Sequence, residues 1–168
     1  MRVPILLRLR GLSGLRVAGS RAAGFSLLEL LVALVVFAVI SAVALPVYTQ
    51  YADRTFRREA QADLLRCGQA LEVQAAERFS YTNAADSNGD GVADADAGPI
   101  AQSLCAPSSP DRYQISVDGS ATTFALLATP VGPMVGDGAI SFDSAGNRGW
   151  DKDDDGNFEP GEEDRWGL

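Results

Sequence analysis

The chain has 168 residues and a formal net charge of −8, which is enough sequence for one modest domain and a membrane anchor. It contains no histidine, so it lacks the commonest general base and the commonest transition-metal ligand. The charge is unevenly distributed, because every charged residue before Phe25 is an arginine and the remainder carries a net charge of −13. This acidic body disfavours direct binding to nucleic-acid phosphates and favours cations.

An apolar run covers residues 25–45, about 31 Å of helix, and is long enough to cross a bilayer core. The arginines before it favour a cytoplasmic N-terminus, although Arg54, Arg57 and Arg58 follow it and weaken the asymmetry. One interpretation is a signal peptide cleaved after Ala44, and another is a plain membrane anchor. Neither interpretation explains Glu29, a carboxylate inside the apolar run.

The stretch GFSLLELL, from Gly24, resembles the prepilin motif of type IV pilins and type II secretion pseudopilins. The resemblance implies cleavage by prepilin peptidase between Gly24 and Phe25 and N-methylation at Phe25. It also implies that the apolar helix stays on the mature protein, first in the bacterial inner membrane and then in an extracellular pilus. The partners implied are other pilin subunits and the inner-membrane pilus assembly machinery.

Cleavage gives Glu29 a physical role. The new amino group of Phe25 would lie one helical turn from the Glu29 carboxylate, at a positive helix N-terminus. Inside a filament the buried carboxylate needs a cationic partner. We therefore expect Glu29 to pair with the Phe25 amine of a neighbouring subunit, or also with that of its own chain, and to set the axial register.

The helix is predicted to extend over about residues 25–79, with a kink or local opening at Pro46. Beyond Pro46, apolar residues recur at helical spacing and predict one buried face. These residues are Phe56, Ala60, Leu64, Cys67, Leu71 and Ala75.

Residues 80–112 are rich in small and polar residues and predict a long loop. Alternating apolar residues then predict three or four antiparallel strands within 113–149, in YQISV, TTFALLAT and AISFD. We expect this sheet to pack on the apolar helix face, in an α+β fold. The strand order resembles the head of PilE-like minor pilins, which implies a pilin-like head on a long helix.

The two cysteines, Cys67 and Cys105, both follow the apolar run, on the side that export would expose to oxidation. A disulfide that closes about 38 residues is expected, with two free cytosolic thiols as the alternative. Both cysteines precede the strands predicted in 113–149, so we expect no disulfide on the C-terminal tail.

Residues 151–162, DKDDDGNFEPGE, have the spacing of a 12-residue calcium loop, with glycine at position 6. We call this segment the second acidic loop. It predicts a Ca²⁺ site without the helices that flank an EF-hand, and the alternative is an acidic tail. The predicted ligands are Asp151, Asp153, Asp155, Asn157, Glu159 and Glu162.

Residues 86–97, DSNGDGVADADA, repeat the start of this pattern but end in Ala97 instead of glutamate. We call this segment the first acidic loop. It predicts a second Ca²⁺ site, with a flexible polar loop as the alternative. The candidate ligands are Asp86, Asn88, Asp90, the Val92 carbonyl and Asp94.

These features favour a structural minor pilin over an enzyme. A type II secretion pseudopilin and a membrane-anchored calcium-binding module that does not polymerise remain as alternatives. The predicted division is a leader peptide (1–24), a membrane or filament-core helix (25–45), an amphipathic helix (46–79), a loop region (80–112), a sheet (113–149) and an acidic tail (150–168).

Overall fold

The computed structural model describes residues 26–158 and residue 166. It divides the chain into two compact units, Met1–Ala42 and Val43–Leu168. Helix α1 spans Leu27–Arg78 and continues through Pro46. Its bounds agree with the sequence prediction, and the kink at Pro46 stays a prediction.

Within the first unit, the described part of α1 exposes large apolar side chains along its length, from Leu27 at 84% exposure to Ile40 at 61%. By length and composition, α1 is a candidate to cross a membrane. Apolar side chains at this density need a lipid or protein environment to cover them.

In the second unit, α1 packs one face on an antiparallel sheet. The predicted apolar face is confirmed at its centre, where Leu64, Cys67 and Leu71 are fully buried. At its end the prediction shifts by one position, because Gln74 is buried and Ala75 is half-buried. Burial of Gln74 is compensated by its amide, which donates to the Thr82 carbonyl at 2.8 Å.

The sheet has five strands in the order β1-β2-β3-β4-β5, and every pair is antiparallel. The strands are β1 (Ala97–Pro99), β2 (Tyr113–Gly119), β3 (Phe124–Pro130), β4 (Ile140–Asp143) and β5 (Arg148–Trp150). A short 3₁₀ helix, Gly132–Met134, follows β3. The architecture is therefore α+β and pilin-like, as predicted.

One detail of the sheet prediction was wrong. From residue 113 onward the structure has four strands, within the number predicted, but the fifth strand, β1, lies inside the segment that was predicted to be a loop. Strand β1 has only three residues, and it is placed by its pairing with Ser116–Asp118 of β2. A strand this short, of sequence Ala-Gly-Pro, carries no alternation that a sequence pattern can detect.

The core lies between α1 and the sheet. Alternate residues of β2 and β3 point into it, so Ile115, Val117 and Leu126 are all at most 4% exposed. The Cys67–Cys105 disulfide is present and joins α1 to the segment after β1, with Cα atoms 5.3 Å apart. The predicted cystine is confirmed, and its loop entropy contributes about 4 kcal/mol to stability.

Candidate functional site

The N-terminal end of α1 carries Glu29 in its first turn. The first helical hydrogen bond runs from the Leu30 amide to the Ser26 carbonyl, at 3.1 Å. A carboxylate in this turn interacts favourably with the positive end of the helix dipole. Gly24 and Phe25, the predicted cleavage and methylation positions, lie outside the described residues.

The second acidic loop begins directly after β5, and the strand positions its first ligand. Asp151 is 2% exposed, and its backbone amide donates to the Ala139 carbonyl at 2.9 Å. Its carboxylate accepts the amides of Asp155 and Gly156, at 3.1 and 2.9 Å. The first position of the loop is therefore held by the sheet, whereas the following residues are exposed.

Three predicted ligands of this loop come together. Ligand oxygens of Asp151, Asp153 and Asp155 all lie within 4.8 Å of one another. Asn157 follows, and its amide donates to the Asp155 carboxylate at 2.8 Å. Oxygen donors of this kind suit a hard cation such as Ca²⁺. Two further predicted ligands, Glu159 and Glu162, lie outside the described residues.

The first acidic loop has the same backbone arrangement. The Asp86 carboxylate accepts the Gly91 amide at 2.7 Å, as Asp151 accepts Gly156 five positions along its loop. Likewise, the Asp90 carboxylate accepts the Val92 amide at 2.8 Å. The hydrogen bond from Gly91, with further ones from Gly89 and its neighbours, holds the pKa of Asp86 below its usual value.

Backbone dihedral angles repeat between the two loops as well. Positions 4 and 6 have positive φ in both, at Gly89 (80°) and Gly91 (86°) and at Asp154 (57°) and Gly156 (87°). Glycine adopts this conformation without steric cost, and aspartate tolerates it better than most residues. Over positions 1–7, which the structure describes in both loops, the two segments therefore share one backbone design.

In the second half of the first acidic loop, the acidic side chains have protein partners. In the first acidic loop, the Asp94 carboxylate accepts the amide and hydroxyl of Ser87, at 2.7 and 3.0 Å. The Asp96 carboxylate accepts the Asn83 amide at 2.8 Å. Among the described residues, the compact acidic group lies in the second acidic loop.

Two tryptophans bracket the second acidic loop, and the sequence analysis did not identify them. Trp150 donates its indole N–H to the Asp137 carbonyl at 2.8 Å, and Trp166 donates to the Ser141 carbonyl at 3.1 Å. Guanidinium groups lie over both rings, Arg57 at 3.9 Å from the Trp150 centroid and Arg148 at 5.0 Å from the Trp166 centroid. In the sequence, the position of one tryptophan on each side of the loop could have indicated that aromatic rings anchor its two ends.

Comparison with known families gives two adjoining matches. Residues 19–45 match the prokaryotic N-terminal methylation motif. Residues 46–141 match the family described as the type IV minor pilin ComP, DNA uptake sequence receptor. No curated protein and no solved structure matches the chain.

The two matches follow each other in the order that a prepilin requires, with the motif at the start of α1 and the head domain after it. The second match covers more than half of the chain, and this protein therefore belongs to the ComP family of type IV minor pilins.

Proposed function

We propose that this chain is cut by prepilin peptidase between Gly24 and Phe25, methylated at Phe25 and assembled into a type IV pilus as a structural subunit. The observation that carries the proposal is the methylation motif placed at the start of an exposed apolar helix, directly before a minor-pilin domain. A structural role needs no catalytic group, and it requires partners that cover the apolar helix. Those partners are the inner membrane before assembly and other pilin subunits afterwards.

Assembly depends on Glu29 in this proposal. The carboxylate is exposed in the first turn of α1, where the amine of a cleaved neighbour would reach it. Among apolar helices that pack without water, such a charge pair fixes one axial register, as a lone polar residue does in a coiled coil.

The first experiment is the intact mass of the protein purified from cell envelopes, with mapping of its N-terminal peptide. A chain that begins at methylated Phe25 is the expected result. A chain that begins at Leu45 means a secreted soluble domain, and an uncut chain means a plain anchor; both contradict the proposal.

Glu29→Ala tests assembly itself, with Glu77→Ala as the control because Glu77 is an exposed glutamate near the other end of the same helix. We expect the Glu29 variant to be cleaved but excluded from sheared surface filaments, and the Glu77 variant to enter them. Recovery of the wild-type protein only in periplasmic filaments would instead identify a type II secretion pseudopilin.

We further propose that Ca²⁺ binds the second acidic loop and stabilises the head. The support is the compact group of three aspartates and a backbone design that recurs in two loops of one chain. Because the carboxylates repel one another, the loop is less stable without a cation, and binding adds to the free energy of unfolding. The first acidic loop is a second, weaker candidate, since Asp94 is engaged by Ser87.

Thermal unfolding of the full chain in detergent tests this proposal. We expect a higher melting temperature in millimolar Ca²⁺ than in chelator, and a smaller rise in Mg²⁺, which prefers stricter octahedral geometry. Identical melting temperatures in Ca²⁺ and chelator would contradict it.

DNA reception is a second candidate, favoured by the description of the matched family. The charge of the head opposes it, because residues 79–158 contain twelve aspartates and three basic residues, Arg112, Arg148 and Lys152. We therefore expect micromolar protein to cause no electrophoretic mobility shift of duplex DNA at physiological salt. A sequence-specific shift, with or without Ca²⁺, would make DNA reception the leading function.

A further inference from the structure

Arg54 and Arg58 of α1 lack any partner within the described part of the chain, as does Arg78 near the end of the helix. Arg54 and Arg58 are exposed and lie four residues apart, on one face of the helix. No ion pair or hydrogen bond among the described residues involves either guanidinium. Arg57, between them, is different, since it is 16% exposed and paired with Asp137.

The side of α1 that carries these arginines also carries exposed apolar residues, which lie between the arginines and the apolar run. Val47, Tyr51, Arg54 and Arg58 follow the spacing i, i+4, i+7, i+11, which aligns them along one side. Val47 and Tyr51 are 63% and 72% exposed. The opposite side carries Ala60, which is buried in the core. We call the four aligned residues the cationic stripe.

The acidic residues near the cationic stripe in sequence lie on other sides of the helix. The acidic residues of positions 43–62 are Asp53 and Glu59, and both lie more than 90° around the helix from the centre of the stripe. Glu59 also accepts the Ser109 hydroxyl at 2.9 Å. The stripe therefore presents an uncompensated positive charge, although the chain as a whole is acidic.

When residues 25–45 span the hydrocarbon, axial distance places Tyr51 and Arg54 within reach of a membrane surface and Arg58 beyond it, so that Arg58 depends on its long side chain to reach back. At 1.5 Å per residue, Tyr51 lies about 9 Å beyond Leu45, Arg54 about 14 Å and Arg58 about 20 Å. The headgroup layer extends about 5–7 Å beyond the hydrocarbon, and the Debye length adds about 8 Å. Tyrosine is enriched at this boundary, and long arginine side chains can bend back toward it.

We propose that the cationic stripe binds the headgroups of anionic phospholipids while the chain is held in the membrane before assembly. The inference rests on the proposed membrane-anchored state of the chain. Continuity with the apolar helix and the charge of the stripe both favour a lipid surface. An acidic surface of a neighbouring subunit would attract the arginines too, but only after assembly. Before assembly, the stripe lies next to the membrane-spanning run, where a lipid surface is the available partner.

Lipid preference of the full chain provides the test. The detergent-solubilised protein is titrated with phosphatidylglycerol or phosphatidylcholine, and bound lipids are counted by native mass spectrometry. The variant is Arg54→Gln with Arg58→Gln. The matched control is Arg78→Gln, which removes an exposed arginine of the same helix far from the apolar run.

We expect the wild-type chain and the control to prefer phosphatidylglycerol about tenfold, and the double variant to lose most of this preference. Equal binding of both lipids by the wild-type chain would overturn the proposal, and so would an unchanged preference in the double variant. If the double variant keeps its lipid preference but no longer enters filaments, the stripe serves an acidic neighbouring subunit instead. Failure of membrane anchoring is detected separately, by loss of the wild-type chain from carbonate-washed membranes.

Discussion

The guanidinium of Arg57 donates two hydrogen bonds to the carboxylate of Asp137, which lies 80 residues later in the chain. The same guanidinium lies 3.9 Å from the centroid of Trp150, and the Tyr113 hydroxyl donates to Asp137 as well. Helix α1, strands β2 and β5 and the loop after the 3₁₀ helix therefore meet at one ion pair. Because β5 leads directly into the second acidic loop, this pair fixes the point from which the loop starts.

Replacing Asp137 by asparagine should destabilise the head by about 3 kcal/mol. The Arg57 and Asp137 side chains are 16% and 14% exposed, so the change leaves a largely buried guanidinium without its charged partner. Urea unfolding of the full chain in detergent, followed by tryptophan fluorescence, measures the loss. Asp118→Asn, at an exposed position of β2, is the control and should change stability by less than about 0.5 kcal/mol. An equal loss of unfolding free energy in both variants would show that the Arg57–Asp137 ion pair does not stabilise the head more than an exposed aspartate does.

The contact between Tyr113 and the Arg57–Asp137 ion pair predicts that the free energy of unfolding falls at alkaline pH. Burial, with the hydrogen bond to Asp137, raises the pKa of Tyr113 well above its usual value of 10. The folded state therefore keeps a proton that the unfolded state releases. This contribution to stability is complete below pH 10 and falls above it by about 1.4 kcal/mol per pH unit. Burial by itself would lower the pKa of Arg57, but its hydrogen bonds and charge interactions with Asp137 and Tyr113 together raise it, and its contribution is lost only at still higher pH.

Unfolding free energies measured between pH 9 and pH 11 check this prediction. Tyr113→Phe should flatten the decline above pH 10, whatever its effect at neutral pH. Tyr48→Phe, at an exposed position of α1, should leave the decline as it is in the wild-type chain. A decline that is equally steep in the Tyr113 variant would assign it to other groups.

Patterns within short stretches of the sequence predicted the features of the fold that depend on neighbouring residues. The buried face of α1 followed from helical spacing, and strands β2, β3 and β4 followed from alternation. The turns of the two acidic loops follow from residues within each loop, such as Gly91 and Gly156. The Arg57–Asp137 pair was not predictable, because two charged residues 80 positions apart look like solvated surface until the fold brings them together. Strand β1 was missed for a related reason, since its register is set by β2 and not by its own sequence.

Gly68 shows how packing reverses a local preference. Alanine is favoured over glycine in helices by about 1 kcal/mol, so the sequence alone predicts that Gly68→Ala stabilises α1. A Cβ atom at this position would lie 2.6 Å from Cε1 of Phe142. The Phe142 ring is held between Phe124 and Trp166, with centroids 6.1 Å away on each side, so it has little room to move.

We therefore expect Gly68→Ala to destabilise the head by about 1 kcal/mol, the overpacking cost exceeding the gain in helix propensity. Gln69→Ala is the matched control, because Gln69 is exposed on the same turn of the helix. Thermal unfolding of the two variants compares them directly. Stabilisation by Gly68→Ala would mean that the sheet shifts to accept the methyl group.

Asparagine substitutions in the acidic loops should separate cation binding from folding. Asp151 is buried and caps the amides of Asp155 and Gly156, so its replacement disturbs the fold even without a metal. Asp153 is exposed, and its oxygen lies within 4.8 Å of those of Asp151 and Asp155. We expect Asp153→Asn to remove most of the rise in melting temperature that Ca²⁺ causes, measured against the same variant in chelator.

In the first acidic loop, the position that corresponds to Asp153 is already an asparagine, Asn88, so the change tested there is Asp90→Asn, at position 5. It should reduce the Ca²⁺ response less than Asp153→Asn, because the Asp94 carboxylate is held by Ser87 and the final position is Ala97. Isothermal titration of the wild-type chain and both variants counts the sites independently of stability. If Asp90→Asn abolishes binding while Asp153→Asn retains it, the first loop is the calcium site, and the compact carboxylate group of the second loop does not bind the ion.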